Sequence, residues 1–208
     1  MIYTWMADVE KLGGENIYRK YYDTVPKFRK EKADGLRFVQ DKAQSIGAWV
    51  LLEKMQRYYG AAKSHVFNLS HSGRYVMCSL ADRENVMVGC DVEMIKEYKE
   101  RLARHFFTEQ EYGRIVKEQT EEGKRELFYR YWVWKESFMK ATRLGMKLGL
   151  DTFAFEPTEE GVIFTKKPEG FDGEYYVKEY KVPDRDAAAA VCSDSPDFCE
   201  EIYFFTFQ

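Results

Sequence analysis

The sequence has few of the residues on which several common kinds of site depend. Its 208 residues include only four cysteines and three histidines. No Cys-x-x-Cys pair occurs, which argues against a structural zinc site. Cys78, Cys90 and Cys192 lie in apolar runs typical of strands, so we predict that they are core residues rather than reactive thiols.

The chain also lacks a large excess of either charge sign, and it has no long apolar run. The chain has 32 basic and 35 acidic residues, a net charge of -3. Such a balance gives no field that would attract nucleic acid, so we predict no nucleic-acid partner, and any bound anion must be held by local groups. No apolar run of about 18 residues occurs, and residues 1–8 do not have the composition of a signal peptide. We expect a cytoplasmic protein without membrane contact.

The apolar pattern predicts an α+β fold with an N-terminal half, residues 1–99, and a C-terminal half, residues 100–208. A helical stripe covers residues 43–55, and three short strands are expected to form a meander. The predicted strands are 66–70, 75–80, 86–93, 152–155, 162–165, 175–181, 187–192 and 202–207. The later helices are predicted at 101–107, 111–117 and 126–142, with 118–125 as a connector before the last one.

Two acidic residues follow a short apolar run. Asp91 and Glu93 are two residues apart, so on a strand they lie on the same face. At a separation of roughly 7 Å and an effective dielectric of about 20, their repulsion is on the order of 2 kcal/mol. A bound hard cation would relieve it, and Mg²⁺ suits a set of oxygen ligands. The alternative is an acidic strand end exposed to water.

A second acidic residue pairs with a lysine in an aromatic stretch of helical spacing. Glu136 and Lys140 are four residues apart and therefore share one helix face. Together with Asp91 and Glu93, they would form a cation site with an ammonium beside it, which suits a pyrophosphate. The alternative is an ordinary surface ion pair between Glu136 and Lys140, worth a few tenths of a kcal/mol.

Four motifs, in order and spacing, resemble the 4′-phosphopantetheinyl transferases of the surfactin-synthetase-activating type. They are Phe-Asn-Leu-Ser-His-Ser-Gly at 67–73, Val-Gly-Cys-Asp-Val-Glu at 88–93, Phe-Phe-Thr-Glu-Gln-Glu-Tyr at 106–112 and Trp-Val-Trp-Lys-Glu-Ser-Phe-Met-Lys at 132–140. The resemblance covers residues 66–150, with a fainter match at 187–197. Because four ordered motifs are involved, the signal is more specific than any one of them.

The resemblance implies a fold of two similar halves related by a pseudo-twofold axis. Each half would be a small antiparallel sheet packed with helices, with the active site in the cleft between them. It also implies that Asp91, Glu93 and Glu136 bind Mg²⁺ and that Lys140 contacts the phosphates of coenzyme A. Ser70 and His71 would lie near the 3′-phosphate of coenzyme A.

The activity implied is transfer of phosphopantetheine from coenzyme A to a serine of an acyl or peptidyl carrier protein, with release of adenosine 3′,5′-bisphosphate. Glu136 would take the proton of the serine, and Lys140 would stabilise the departing phosphate. We expect a monomer. Two alternatives stay open: another metal-dependent phosphoryl transfer on a nucleotide pyrophosphate, and a non-catalytic protein that binds coenzyme A or a carrier.

The sequence departs from the family at the expected adenine end of the site. The usual Gly-Lys-Pro segment is missing, which implies a shortened loop at 59–65, and a common arginine is replaced within the Asp-Lys-Ala-Gln segment at 41–44. A basic cluster at Lys27, Arg29, Lys30 and Lys32 would either compensate or be a solvated face. Residues 142–150, which include Arg143 and Lys147, are either a carrier-docking segment or a helix cap and the start of a strand.

Overall fold

The computed structural model describes residues 1–60 and 66–208, apart from the side chain at 146. The loop prediction for 59–65 therefore lies largely outside the described residues. The described chain contains nine strands and six α-helices. In chain order they are β1 Ile2–Asp8, α1 Glu15–Tyr22, α2 Lys27–Asp34, α3 Val39–Tyr58, β2 Phe67–Ser72, β3 Tyr75–Ala81, β4 Val88–Met94, α4 Glu100–Phe106, α5 Glu109–Lys117, α6 Glu121–Ala141, β5 Ala154–Thr158, β6 Gly161–Lys166, β7 Tyr176–Tyr180, β8 Ala187–Ser193 and β9 Tyr203–Thr206.

The strands form two sheets, each with one long helix packed on it. The first sheet has the order β2-β3-β1-β9, and the second has the order β4-β8-β7-β6-β5. Helix α3 packs on the first sheet through residues such as Ile46 and Leu51, and α6 packs on the second through Trp134 and Phe138. The predicted α+β class with two halves is confirmed. The strands pair antiparallel, except that β9 runs parallel to β1.

The two sheets do not follow the order of the chain. Strand β4 comes from the first half of the sequence but pairs with β8, and β9 comes from the second half but pairs with β1. The predicted three-stranded meander is therefore wrong at its third strand. Strand β1 was not predicted; it occupies the side of β3 opposite to β2 and so leaves no place there for β4.

Two helices begin earlier than predicted because threonines cap them. The hydroxyl of Thr120 accepts the N–H of Gly123, so α6 starts at Glu121 and the predicted connector at 118–125 is largely helical. Thr108 and Glu111 form a capping box, so α5 starts at Glu109. Among the described residues, no helix combines the length and the apolar character needed to cross a bilayer.

Candidate active site

The two sheets meet where their edge strands β2 and β4 lie side by side. Side chains of β2 that alternate along the strand share one face, and they accept the backbone N–H groups on the open edge of β4. The bonds run from Cys90 N to Asn68 Oδ1 (3.0 Å), from Val92 N to Ser70 Oγ (3.3 Å) and from Met94 N to Ser72 Oγ (3.1 Å). Side chains thus replace a backbone ladder at the junction of the two sheets.

Strand β4 is also in close contact with helix α6. A Cβ atom added to Gly89 would overlap the helix backbone at Ser137 and Ala141. Because Gly89 has no side chain, strand and helix can approach to backbone contact. Asp91 lies two residues further on the same face of β4 and is thereby brought to Lys140.

Asp91, Lys140 and Ser70 form the centre of the site. Lys140 Nζ lies 2.6 Å from Asp91 Oδ1 and 3.0 Å from Ser70 Oγ, and Ser70 Oγ donates to the same carboxylate oxygen at 2.8 Å. The Asp91 side chain is 4% exposed, and its second oxygen, Oδ2, has no hydrogen-bond partner among the described residues. A buried carboxylate oxygen without a partner is costly, so Oδ2 is a place where a ligand would be stabilised.

Glu93 and Glu136 lie beside this centre. Ser72 Oγ donates to Glu93 Oε2 at 2.6 Å. Glu136 is half-buried on α6, and Lys140, four residues later, forms its ion pair with Asp91 rather than with Glu136. The alternative of an ordinary i,i+4 pair between Glu136 and Lys140 is therefore not what the structure contains.

Burial acts on all three carboxylates, and the charge of Asp91 acts on the other two. Burial raises the pKa of Asp91 even though Lys140 and Ser70 stabilise its charged form. Burial also raises the pKa of Glu93 and of Glu136, and the charge of Asp91 adds to both shifts. Burial opposes the charge of Lys140, but Asp91, Cys90 and Glu136 together more than offset this and raise the lysine pKa. A cation placed among these groups would be attracted by three negative charges that one lysine only partly balances.

The donor set fits a hard divalent cation that keeps other ligands. Among residues 1–60 and 66–208, no three His, Cys, Asp or Glu side chains are grouped so as to enclose a metal ion by themselves. Mg²⁺ is usually bound by one or two carboxylates, with water and substrate phosphates completing the octahedron. Asp91 Oδ2, which lacks a partner in the part of the chain that the structure describes, and the neighbouring Glu93 are suited to that arrangement. A ligand set of Asp91, Glu93 and Glu136 stays a prediction.

Ser70 and His71, which are predicted to lie near coenzyme A, point to opposite faces of β2, as the alternation of a strand requires. Ser70 is buried and its hydroxyl is fully engaged with Asp91, Val92 and Lys140, whereas His71 is exposed. Partial desolvation, together with the positive charges of Lys140 and Lys32, lowers the pKa of His71. A contact of Ser70 or His71 with coenzyme A stays a prediction, and for Ser70 it would require exchange of the present hydrogen bonds.

One residue of the basic cluster on α2, Lys32, acts on the site. Lys32 acts electrostatically on His71, and the Arg29 guanidinium stacks over Trp49 at 4.4 Å. Burial lowers the pKa of Arg29, and its Nε has no partner among the described residues. Gln44, within the segment where the family has an arginine, donates to the carbonyl of Gly73 at 2.7 Å.

An ion pair that was not predicted from the sequence, between Lys135 and Glu111, holds α6 on the side away from Lys140. Lys135 and Glu111 are 0% and 1% exposed, with Nζ 2.9 Å from Oε2. Lys135 also donates to the carbonyls of Leu150 and Phe153, and Glu111 accepts from the N–H of Phe155. The signal for Glu111 was present as the Thr-x-x-Glu pattern of a capping box. Lys135 and Glu111 hold the helix that carries Glu136 and Lys140.

Carboxylates and a lysine thus meet where the two sheets adjoin, and this set of groups can hold a divalent cation and an anion together. The sequence profile of the 4'-phosphopantetheinyl transferase superfamily matches residues 87–192, about half of the chain, and the protein belongs to this family. The match includes β4 and α6, so it covers Asp91, Glu93, Glu136 and Lys140.

Two curated relatives come from Bacillus subtilis. The 4'-phosphopantetheinyl transferase Sfp of strain 168 is 33% identical over 142 residues, 68% of this chain and 61% of that protein. A second 4'-phosphopantetheinyl transferase is 30% identical over 151 residues, 73% of this chain and 65% of that protein. The chain thus matches somewhat less than two thirds of the length of these relatives. Among solved structures, the Thermotoga maritima holo-[acyl-carrier-protein] synthase is similar with a TM-score of 0.44 and 21% identity, over 51% of this chain and 61% of that chain.

Proposed function

We propose that this protein transfers 4′-phosphopantetheine from coenzyme A to a serine hydroxyl of an acyl or peptidyl carrier protein. The observation that carries the proposal is the Asp91–Lys140–Ser70 centre, in which the carboxylate oxygen Asp91 Oδ2 has no hydrogen-bond partner among the described residues. Asp91 and Lys140 lie inside the segment that matches the family. The names of the relatives support the reaction class. The released product would be adenosine 3′,5′-bisphosphate.

The reaction is attack of an alcohol on a phosphoanhydride, so positioning and charge neutralisation dominate the rate. Asp91 and Glu93 would hold Mg²⁺, with Glu136 as a further ligand, and the bound ion would neutralise charge on the pyrophosphate. Lys140 would contact the phosphate that departs, since its ammonium lies beside Asp91 and its side chain is 29% exposed.

Glu136 is proposed to accept the proton of the carrier serine. Burial and the charge of Asp91 raise its pKa, and a carboxylate with a raised pKa is a better base near neutral pH. Glu136→Gln removes the basic oxygen with little change of shape. We expect transfer to fall by orders of magnitude in this variant and in Lys140→Ala.

Incubation with coenzyme A, Mg²⁺ and an apo-carrier, followed by intact mass of the carrier, tests the proposal. A mass increase of one phosphopantetheine is expected with the wild-type protein, and chelation of Mg²⁺ should abolish it. Gly113→Ala, on α5, is a suitable control because an added Cβ there meets no atom within 4 Å. Binding of coenzyme A without transfer to any carrier would instead favour the non-catalytic alternative.

We further propose that the carrier docks beside the end of α6 and that the protein works as a monomer in the cytoplasm. Arg143 and Lys147 are exposed there and would attract an acidic carrier surface. All four cysteines are free thiols, which agrees with a reducing compartment. Charge reversal at Arg143 and Lys147 should raise the KM for the carrier and leave the KM for coenzyme A unchanged; equal KM values for the carrier would exclude this surface.

A further inference from the structure

The hydroxyl groups of β2 repeat one arrangement along the junction with β4. Ser70 Oγ accepts the N–H of Val92 and donates to Asp91 Oδ1, and two residues later Ser72 Oγ accepts the N–H of Met94 and donates to Glu93 Oε2. Each serine hydroxyl therefore donates to a carboxylate of β4 and accepts the backbone N–H of the residue that comes directly after that acidic residue. The repeat has a two-residue period because both strands alternate.

We propose that Ser72 is a positioning residue, which holds Glu93 in the conformation that binds a divalent cation. The inference rests on the proposed function for the identity of that cation site. A serine hydroxyl has a single proton to donate. Since the N–H of Met94 is donated to Ser72 Oγ, the serine proton is directed to Glu93 Oε2, at 2.6 Å. This bond to a carboxylate is of the charge-assisted, stronger kind.

Ser72 is itself held from two sides. The next residue, Gly73, has a φ of +54°, and a Cβ added to it would overlap the Met94 side chain, so the turn packs closely against β4. Helix α3 holds the same turn through the bond from Gln44 Nε2 to Gly73 O, at 2.7 Å. The hydroxyl that orients Glu93 is therefore attached to a fixed part of the first half, while Glu93 belongs to the second sheet.

A glutamate has several rotatable bonds, and a cation that binds it must restrict them. A hydrogen bond that restricts the side chain before binding reduces this loss and raises the affinity. Residues that orient metal ligands in this way typically change the affinity for the metal 10–100-fold when they are replaced. Ser72 is placed to act on Glu93 in this way through its bond to Oε2.

The test compares Mn²⁺ binding, followed by electron paramagnetic resonance, in wild-type protein, Ser72→Ala, Ser72→Cys and Ser72→Thr. Mn²⁺ is the spectroscopic probe, and binding is measured with and without coenzyme A. We expect about a tenfold loss of affinity in Ser72→Ala. The loss should be in the same direction in Ser72→Cys, whose thiol is a weaker donor, and Ser72→Thr should restore the affinity because it keeps the hydroxyl.

Two controls separate positioning from general stability. Thr4→Val removes a buried hydroxyl that bonds to Ser79, at 3.0 Å, and has no hydrogen bond to the three carboxylates; it should lower the stability and leave Mn²⁺ affinity unchanged. In a Glu93→Ala background, Ser72→Ala should have no further effect on the affinity, because its effect passes through Glu93.

The outcomes distinguish this inference from the proposed function. Equal Mn²⁺ affinity in wild-type protein, Ser72→Ala and Ser72→Cys would overturn the positioning role even if transfer to a carrier is observed. Loss of affinity in Ser72→Ala with recovery in Ser72→Thr, but no transfer by the wild type, would support positioning and reject the proposed function. Absence of Mn²⁺ binding by the wild type, with coenzyme A present, would overturn the positioning role as well.

Discussion

At the scale of single residues, the two lysines of the α6 motif have different surroundings. Lys140 reaches the junction of the sheets and is partly exposed, so it is available to a ligand. Lys135 is fully buried and uses its ammonium for Glu111 and two backbone carbonyls. Their similarity in sequence therefore does not indicate a shared role.

Lys135→Met should strongly destabilise the protein. The substitution keeps the apolar part of the side chain but leaves the carboxylate of Glu111 buried without its countercharge, which typically costs about 3–5 kcal/mol. The free energy of unfolding from urea titration measures the effect. Lys27→Met is the matched control, since the Lys27–Glu31 pair is exposed and exposed pairs contribute about 0–1 kcal/mol. Equal losses in the two variants would show that the buried pair is not a stabilising unit.

His71 should take up a proton when coenzyme A binds. In the free protein its pKa lies below the ordinary value of about 6.5, so the imidazole is largely neutral at pH 7. A 3′-phosphate beside it would favour the charged form and raise the pKa, so the affinity for coenzyme A should increase as the pH falls through this raised pKa. Titration of the His71 ring by NMR, with and without coenzyme A, measures the shift. Dephospho-coenzyme A is the control, and an equal shift with both ligands would contradict the assignment.

At the scale of elements, the contact between β4 and α6 determines where the carboxylates meet the lysine. Gly89→Ala should force this helix away from the strand, because the added Cβ would overlap backbone atoms that cannot rotate aside. We expect a loss of about 1–3 kcal/mol in stability, as for other overpacked sites, and a larger relative loss of transfer. Urea unfolding and the carrier mass assay measure the two effects. Normal transfer by Gly89→Ala would mean that the site tolerates a displaced helix.

Part of the site follows from periodicity within single elements. Strand alternation correctly predicts that Asp91 and Glu93 share one face of β4, and the helical repeat predicts that Glu136 and Lys140 share one face of α6. The contacts of Ser70 and Ser72 with these carboxylates could not be predicted in that way. These contacts join two strands that are not paired through their backbones, and the sequence of one strand does not indicate that the other lies beside it.

The pairing of strands that are far apart in the sequence could not be predicted either. Strands β2 and β3 are joined by a tight turn and were predicted as neighbours correctly, whereas β1 and β9 pair across almost the whole length of the chain. The apolar run at residues 2–7 was recognised only as unlike a signal peptide, and its burial at the centre of a sheet depends on distant partners. The boundary between 1–99 and 100–208 remains a prediction, and strand pairing crosses it in both directions.

At the scale of the whole molecule, this exchange of strands should make the two halves unfold together. Trp5 and Trp49 report on the first sheet and α3, and Trp132 and Trp134 report on α6. Urea unfolding followed by fluorescence should give the same midpoint in Trp132→Phe/Trp134→Phe and in Trp5→Phe/Trp49→Phe, after correction for the stability change measured by circular dichroism. Two separate transitions would instead show independent halves.

Deletion of residues 202–208 should destabilise the first half although these residues come last in the sequence. The deletion removes β9 and the fully buried Phe207, which packs against Tyr21 of α1. We expect the transition reported by Trp5 and Trp49 to move to lower urea together with that of α6. Phe207→Ala is a milder variant and should cost about 3–5 kcal/mol. An unchanged midpoint would contradict a structural role for β9.

The parallel pairing of β9 with β1 also bears on synthesis of the protein. Strand β1 emerges from the ribosome well before β9, so the sheet is completed only when residues 203–206 have left the exit tunnel. We therefore expect nascent chains halted before β9 to be more readily cleaved by proteases than chains in which β9 has emerged.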